Sequence, residues 1–185
     1  MSTATDSELM TEVRADRVGA LGTLFERHHG KLYHFCLRMT GNRGVSEDLV
    51  QDVFMRMLKH RKSFQANTTF IPWMYRIARN ACIDHLRHAA RAPDTVEDLD
   101  EQASEELSAD EQFDKGESVG LVRRALMRLP VDRREVLLLS RYEFKTYEEI
   151  ARALDCSVSA VKVRAHRAVK QLRKLYNELA EEASP

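Results

Sequence analysis

Apolar residues recur at steps of three and four along most of the chain and hardly ever alternate, so the pattern predicts helices rather than sheet. Leu21, Leu24, Phe25, His28, Leu32, Phe35, Cys36 and Met39 trace one face of a long amphipathic helix. Gly41-Asn42-Arg43-Gly44 breaks it. Ser46 is then placed to cap a second helix that buries Leu49, Val50, Val53, Phe54, Met57 and Leu58. A third helix begins around Pro72, a residue that a first helical turn tolerates, and runs through Trp73, Ile77, Ala81 and Leu86 to about Arg91.

In the C-terminal part a helix from Val119 to Leu129 stops at Pro130. Asp132 with Glu135 and Thr146 with Glu149 both have capping-box spacing, which predicts two further helix starts, and Ser157 is the cap expected for the last helix. The expected fold is therefore all-α: two small helical domains joined by a flexible acidic linker. Its boundaries are a lead segment over 1–17, a first domain over 18–92, the linker over 93–118, a second domain over 119–178 and a tail over 179–185.

The hydrophobic content of 43% is enough for real cores. The net charge of zero hides a pattern: residues 1–92 carry 14 Lys/Arg against 9 Asp/Glu, residues 93–118 carry 1 against 11, and residues 119–185 carry 14 against 9. Two basic blocks around an acidic one fit two polyanion-binding domains joined by a segment that nucleic acid repels. A solvated linker between ordinary domains fits the same numbers. No apolar run has the length of a membrane span, and Asp6, Glu8 and Glu12 replace the basic start of a signal peptide, so membrane insertion is not expected and a cytoplasmic location is. Cys36, Cys82 and Cys156 are spaced as packing residues of a reducing compartment.

The most specific pattern is TYEEIARALDCSVSAVKVRAHRAVKQLRK, Thr146 to Lys174, a short helix, a tight turn and a long helix. Ile150, Ala151 and Leu154 are placed to face Val158, Val161 and Ala165. The opposite face carries Ser159, Lys162, Val163, His166, Arg167 and Lys170, where a major-groove reader sets its side chains. A charged, solvated helix face is the plainer alternative.

Between Ser63 and Arg87, Phe64, Phe70, Trp73 and Tyr75 stand among polar groups and the cations Arg76, Arg79 and Arg87, so aromatic faces could stack unpaired bases while the cations hold a backbone. The same aromatics at helical spacing also make an ordinary core. Asn80 and Asp84, one turn apart, could cap, pair with arginine or contact a base. Over residues 46–60, Asp48, Asp52, Met55 and Lys59 form a stripe with Gln51 beside it, which suits a protein-docking face or simply a favourable helix dipole. Cys82, His85 and His88 do not make a metal site, because helical steps of three place successive side chains about 300° apart and no fourth ligand is at hand. Phosphate-loop and nucleophile-elbow signatures are absent from the sequence, so it is not expected to be an enzyme, and no cofactor is implied.

SEDLVQDVF, then F-x-x-x-W-M-Y-R-I-A-R-N-A-C-I-D-H-L-R, then the TYEEIARAL helix-turn-helix, in this order and over nearly the whole chain, resembles the extracytoplasmic-function sigma factors of bacterial RNA polymerase. The resemblance implies a sigma-2 domain, a sigma-4 domain, and core RNA polymerase and promoter DNA as partners. Control by an anti-sigma factor and a monomeric free state are further expectations. By resemblance, Asp48, Gln51, Asp52 and Arg56 dock on core polymerase. Phe64, Gln65, Asn67, Trp73, Arg76, Asn80 and Arg87 belong to the minus-10 element, where a flipped base is captured, and Ser159, Lys162, Val163, His166, Arg167 and Lys170 to the duplex minus-35 element. Phe144 and Asp155 stand where the family often has glycine, and Ser140-Arg141 replaces a common Arg-Glu pair. Asp at 155 is compatible with a left-handed turn. The 26-residue linker over 93–118, at roughly 3.4 Å per residue, reaches about 88 Å, enough to span roughly 25 base pairs.

Overall fold

The computed structural model describes residues 4–65, 67–91, 117–144 and 146–183. Eight α-helices and no strand occur among them. Helix α1 (Asp6–Arg14) lies within the expected lead segment and begins with a capping box: Glu8 N–H donates to Thr5 Oγ1 at 3.3 Å, and Thr5 N–H donates to Glu8 Oε2 at 2.7 Å. Its Leu9, Met10 and Val13 are buried in the first domain. Asp6 ties it to helix α2 (Ala20–Thr40), accepting from Arg27 and pairing with His28 Nε2, each at 2.8 Å. Burial alone would raise the Asp6 pKa, but the hydrogen bonds from Arg27 and His28 outweigh it and hold the carboxyl below its usual range.

Helix α2 ends at Gly41, whose φ of 76° is left-handed and easy only without a Cβ. Helix α3 (Arg43–Lys59) starts earlier than the pattern predicts. Asn42, not Ser46, is its cap, with Oδ1 accepting from Val45 N–H at 3.0 Å. Ser46 lies buried inside the first turn and donates its hydroxyl back to the Asn42 carbonyl. A 3-10 turn at Arg61–Ser63 leads toward helix α4 (Phe70–Ala89), which places Pro72 in the first turn. Helices α2, α3 and α4 enclose Leu32, Phe35, Met39, Val53, Met57, Met74 and Ala78. Cys36 and Cys82 meet there, Sγ to Sγ at 3.7 Å. The hydrogen bond to Cys36, reinforced by burial, pushes the Cys82 thiol far up, which makes it an inert packing group.

The expected linker lies outside the described residues as far as Gly116. Helix α5 (Glu117–Arg128) follows, then α6 (Val131–Leu138) and a π-helical turn at Leu139–Glu143 closed by Phe144 N–H on the Leu139 carbonyl at 3.0 Å. Helices α7 (Tyr147–Leu154) and α8 (Val158–Ala183) complete the second unit, with α5, α6 and α7 packed around α8. Residues 179–183, expected as tail, continue α8, and Leu179 is buried. The Thr146–Glu149 capping box forms as expected. The Asp132–Glu135 box does not: Pro130 holds the N-cap position without a side-chain bond, and Glu135 turns outward to the other domain.

The two units share a seam in which α6 packs against α2 and α7 against α4. Glu135, only 1% exposed, takes Arg79 of α4 through both carboxylate oxygens at 2.7 and 3.3 Å. Neighbouring Arg134 is buried and donates to the Met39 carbonyl across the seam, and to the Met127 and Leu129 carbonyls on its own side. Tyr75 and Phe144 meet edge to face with centroids 5.5 Å apart, and buried residues of both units form one continuous cluster. Burial lowers the pKa of Arg134 and raises that of Glu135 against the opposing pull of Arg79, so desolvation tells on both charges. Buried pairs of this kind roughly break even against well-packed apolar groups. The rings and aliphatic side chains hold the seam, and the charges fix its register.

If α1 is integral to the first domain, Met10→Ala, at a position with 0% exposure, costs about 2–5 kcal/mol in urea denaturation. A loss below about 1 kcal/mol would mean that α1 rests on the bundle without supporting it.

Candidate nucleic-acid interface

Helix α7 ends because Asp155 adopts φ 53° and ψ 50°, the left-handed conformation that glycine usually supplies. Cys156 N–H closes the turn on the Ala151 carbonyl at 3.0 Å, and Ser157 Oγ caps α8 by accepting from Ala160 N–H at 3.2 Å. Ile150, Ala151 and Leu154 are buried against Val161 and Ala165, with Val158 half-buried. Ser159, Lys162, Val163, His166, Arg167 and Lys170 are all exposed on the other side of α8. They make a continuous, largely polar and cationic ridge on an α-helix, an element that a major groove admits. Ser159 and Ser157 share a hydroxyl hydrogen bond at 3.0 Å at its N-terminal end.

A second exposed face is built on α4 and the loop before it. Phe64 does not offer a ring to a ligand: it is 0% exposed, edge-on to Trp73 at 5.2 Å and to Phe70 at 6.4 Å. Its place is beneath the loop, in the core, whereas the sequence pattern offered it as a DNA contact. Trp73 is half-buried in the same stack. Gln65 and Asn67 are exposed above it, in a tight turn made by Thr68 N–H to the Gln65 carbonyl at 2.8 Å and by Gln65 N–H to Thr68 Oγ1 at 3.3 Å. Arg76, Asn80 and Arg87 are exposed along α4. Arg79 donates to Asn80 Oδ1 at 3.2 Å while holding Glu135, and Arg76 lies 3.6 Å from Asp155.

The third face belongs to α3. Asp48 and Gln51 are exposed, Asp52 is half-exposed, and Met55 is 65% exposed in their midst. Arg56, expected to join them as a contact, is half-buried instead. Its Nε meets Asp52 at 2.8 Å and its Nη1 meets Asp84 of α4 at 2.9 Å, and the Asp84 hydrogen bond leads the effects that raise its pKa. Arg56 thus braces the acidic face against α4. Asp84, whose role the sequence left open, is the arginine partner among the alternatives.

The pairings of Arg79 and Arg56 escaped sequence reasoning. Arg79 stands out only as one cation among three, and the capping-box spacing of Glu135 points its side chain to a local role. Among the described residues no group of three or more His, Cys, Asp or Glu side chains is arranged to hold a metal, and no helix is long and apolar enough to cross a membrane.

Two family models match the chain: Sigma-70 region 2 over residues 24–92, and Sigma-70, region 4 over residues 120–172. The RNA polymerase sigma factor CarQ of Myxococcus xanthus is 35% identical over 170 residues, covering 92% of this chain and 97% of its own. The ECF RNA polymerase sigma factor SigW of Bacillus subtilis is 30% identical over 188 residues, covering 93% and 100%. Of solved structures, CnrH in complex with the cytosolic domain of CnrY superposes with a TM-score of 0.69 at 24% identity, over 97% of this chain and 99% of that one. RpoE with the anti-sigma factor NepR from Bartonella quintana gives 0.66 at 23%, over 84% and 96%. These last two are likenesses of fold.

The burial pattern separates support from display. Phe64→Ala should cost about 3–5 kcal/mol of stability, whereas Asn80→Ala and Gln65→Ala should stay within about 0.5 kcal/mol of the parent. Denaturant melts of the three variants check this, and an Asn80→Ala loss as large as that of Phe64→Ala would make Asn80 a structural residue.

Proposed function

The chain belongs to the extracytoplasmic-function branch of the sigma-70 family of RNA polymerase sigma factors, and we infer from its exposed faces how it divides that work. A sigma factor binds core polymerase, recognises promoter DNA and starts transcription. In this chain the α3 face, with Asp48, Gln51 and Asp52 around Met55, docks on core polymerase, and Arg56 keeps that face rigid against α4. The loop with Gln65 and Asn67, together with Arg76, Asn80 and Arg87 of α4, takes the opened minus-10 strand. Trp73 and Phe64 support it from below. The α8 ridge reads the minus-35 duplex.

The observation that carries this reading is the α8 ridge: six side chains able to contact bases or phosphates are exposed together on a helix whose other side is locked into a helix-turn-helix core. Arg and Lys there can donate to guanine edges or phosphates, Ser159 and His166 can serve either role, and Val163 offers an apolar contact to a thymine methyl. The protein directs chemistry that polymerase performs, so it needs no catalytic group or cofactor of its own, and it works in the cytoplasm where polymerase does. Control by an anti-sigma factor is part of the proposal, supported by the likeness to RpoE bound by NepR. Run-off transcription with purified core polymerase on a promoter panel tests the whole reading, and no promoter-dependent product would overturn it.

Reversing Asp48 and Asp52 to lysine should reduce core affinity at least tenfold with the fold intact by circular dichroism. Unchanged affinity would remove α3 as the docking face. The two DNA faces should fail differently. Lys162→Ala and Arg167→Ala are each expected to weaken closed-complex binding by about 1–3 kcal/mol. Asn80→Ala should leave closed-complex binding nearly intact and slow open-complex formation, since a base is captured only after the strands part. Equal duplex-binding defects, with no change in minus-10 base preference for Asn80→Ala, would refute the division of labour.

A further inference from the structure

Two cations of the α4 face are engaged by acids of the other domain. Arg79 takes both oxygens of Glu135 from α6, and Arg76 lies 3.6 Å from Asp155 at the end of α7. The two pairs differ in kind. Arg76 and Asp155 are well exposed, whereas the Glu135 side chain is 1% exposed and that of Arg79 25% exposed. A carboxylate offers a guanidinium two oxygens in the fork geometry that a phosphate also offers. Arg79 moreover touches Asn80, the residue assigned to base capture, so its guanidinium sits where a strand held by Asn80 would run.

We propose that Arg79 is a phosphate-binding residue for the minus-10 strand and that Glu135 occupies it in the free chain, so that closure of the C-terminal domain over α4 and admission of the strand exclude each other. The proposal rests on the reading of α4 as the minus-10 face. The exchange is physically easy. Arg79 passes from one fork of oxygens to another and is never left unpaired, which is the costly way to break a buried ion pair. Glu135 gains water on release. Closure also brings α7, the first helix of the helix-turn-helix, against α4, so one clasp holds both DNA-reading elements in a single closed unit.

The test uses the full-length chain and a fluorescent pool of random-sequence 20-nucleotide single-stranded DNA, followed by anisotropy over a range of salt. Glu135→Gln keeps the shape and removes the charge, and should bind the pool at least fivefold more tightly than the parent. Adding Arg79→Ala to it should abolish the gain and reduce the log-log salt slope by about 0.7, the value of one lost phosphate contact on a single strand. A seam that closes for structural reasons alone would leave that slope unchanged in the double variant, and that outcome overturns the proposal. So does a Glu135→Gln protein that binds no better than the parent. The unmodified protein supplies an independent readout: saturating it with the pool should speed amide hydrogen exchange in residues 131–138, and unchanged or slower exchange there refutes mutual exclusion. Core-dependent transcription by the parent, run in parallel, reports on the minus-10 reading itself. Its absence would remove that reading, while its presence with no effect of Glu135→Gln on DNA binding would remove the clasp alone.

Discussion

Helix α4 has to be buried along one face and legible along another, and most of the structure follows from meeting both demands at once. Phe70, Met74, Tyr75, Ala78, Ala81 and Cys82 are buried, and small side chains at three of these six positions let α2 approach closely. That leaves Arg76, Asn80 and Arg87 exposed on a helix held rigidly from behind. Side chains displayed on a well-packed helix keep their geometry better than those on a loop. The aromatic stack of Phe64, Phe70 and Trp73 extends the same support to the loop that carries Gln65 and Asn67. Arg56 extends it in the other direction: by joining Asp84 to Asp52, it couples the reading helix to the acidic face of α3 through two bonds shorter than 3 Å.

The seam obeys a different rule. Its apolar contacts are continuous with both cores, yet its specific partners are Arg134 and Glu135, two charges that water would solvate better. An interface built of apolar side chains alone would close for good. One whose register depends on a desolvated ion pair lies nearer to balance.

Much of this was legible in the sequence because it is written in local rules. The helix-turn-helix follows from a capping box at Thr146, a turn residue at Asp155 and a cap at Ser157, and each acts within four residues of itself. The exposed ridge of α8 follows from helical periodicity once its apolar side is recognised. Helix α1 obeys the same rules, with a capping box at Thr5–Glu8 and apolar residues at 9, 10 and 13, but its nine residues are too few for periodicity to stand out. Ser46 has the chemistry of a cap but not its place, because Asn42, four residues earlier, supplies the same chemistry next to the left-handed Gly41 that ends α2.

Glu135 marks the limit of such reading. Asp-x-x-Glu after a proline predicts a reciprocal cap. The cap requires the helix to start at Asp132, however, and here it starts earlier: Pro130 holds the N-cap position, so Asp132 lies inside the first turn and Glu135 is no longer three residues beyond the cap. The carboxylate therefore has no reciprocal cap to make, and Arg79, 56 residues away in sequence, meets it with two donors. Periodicity and capping rules carry no information about a partner at that separation. Starting the helix at Pro130 removes the box, and the partner that Glu135 takes instead exists only once both helices are in place.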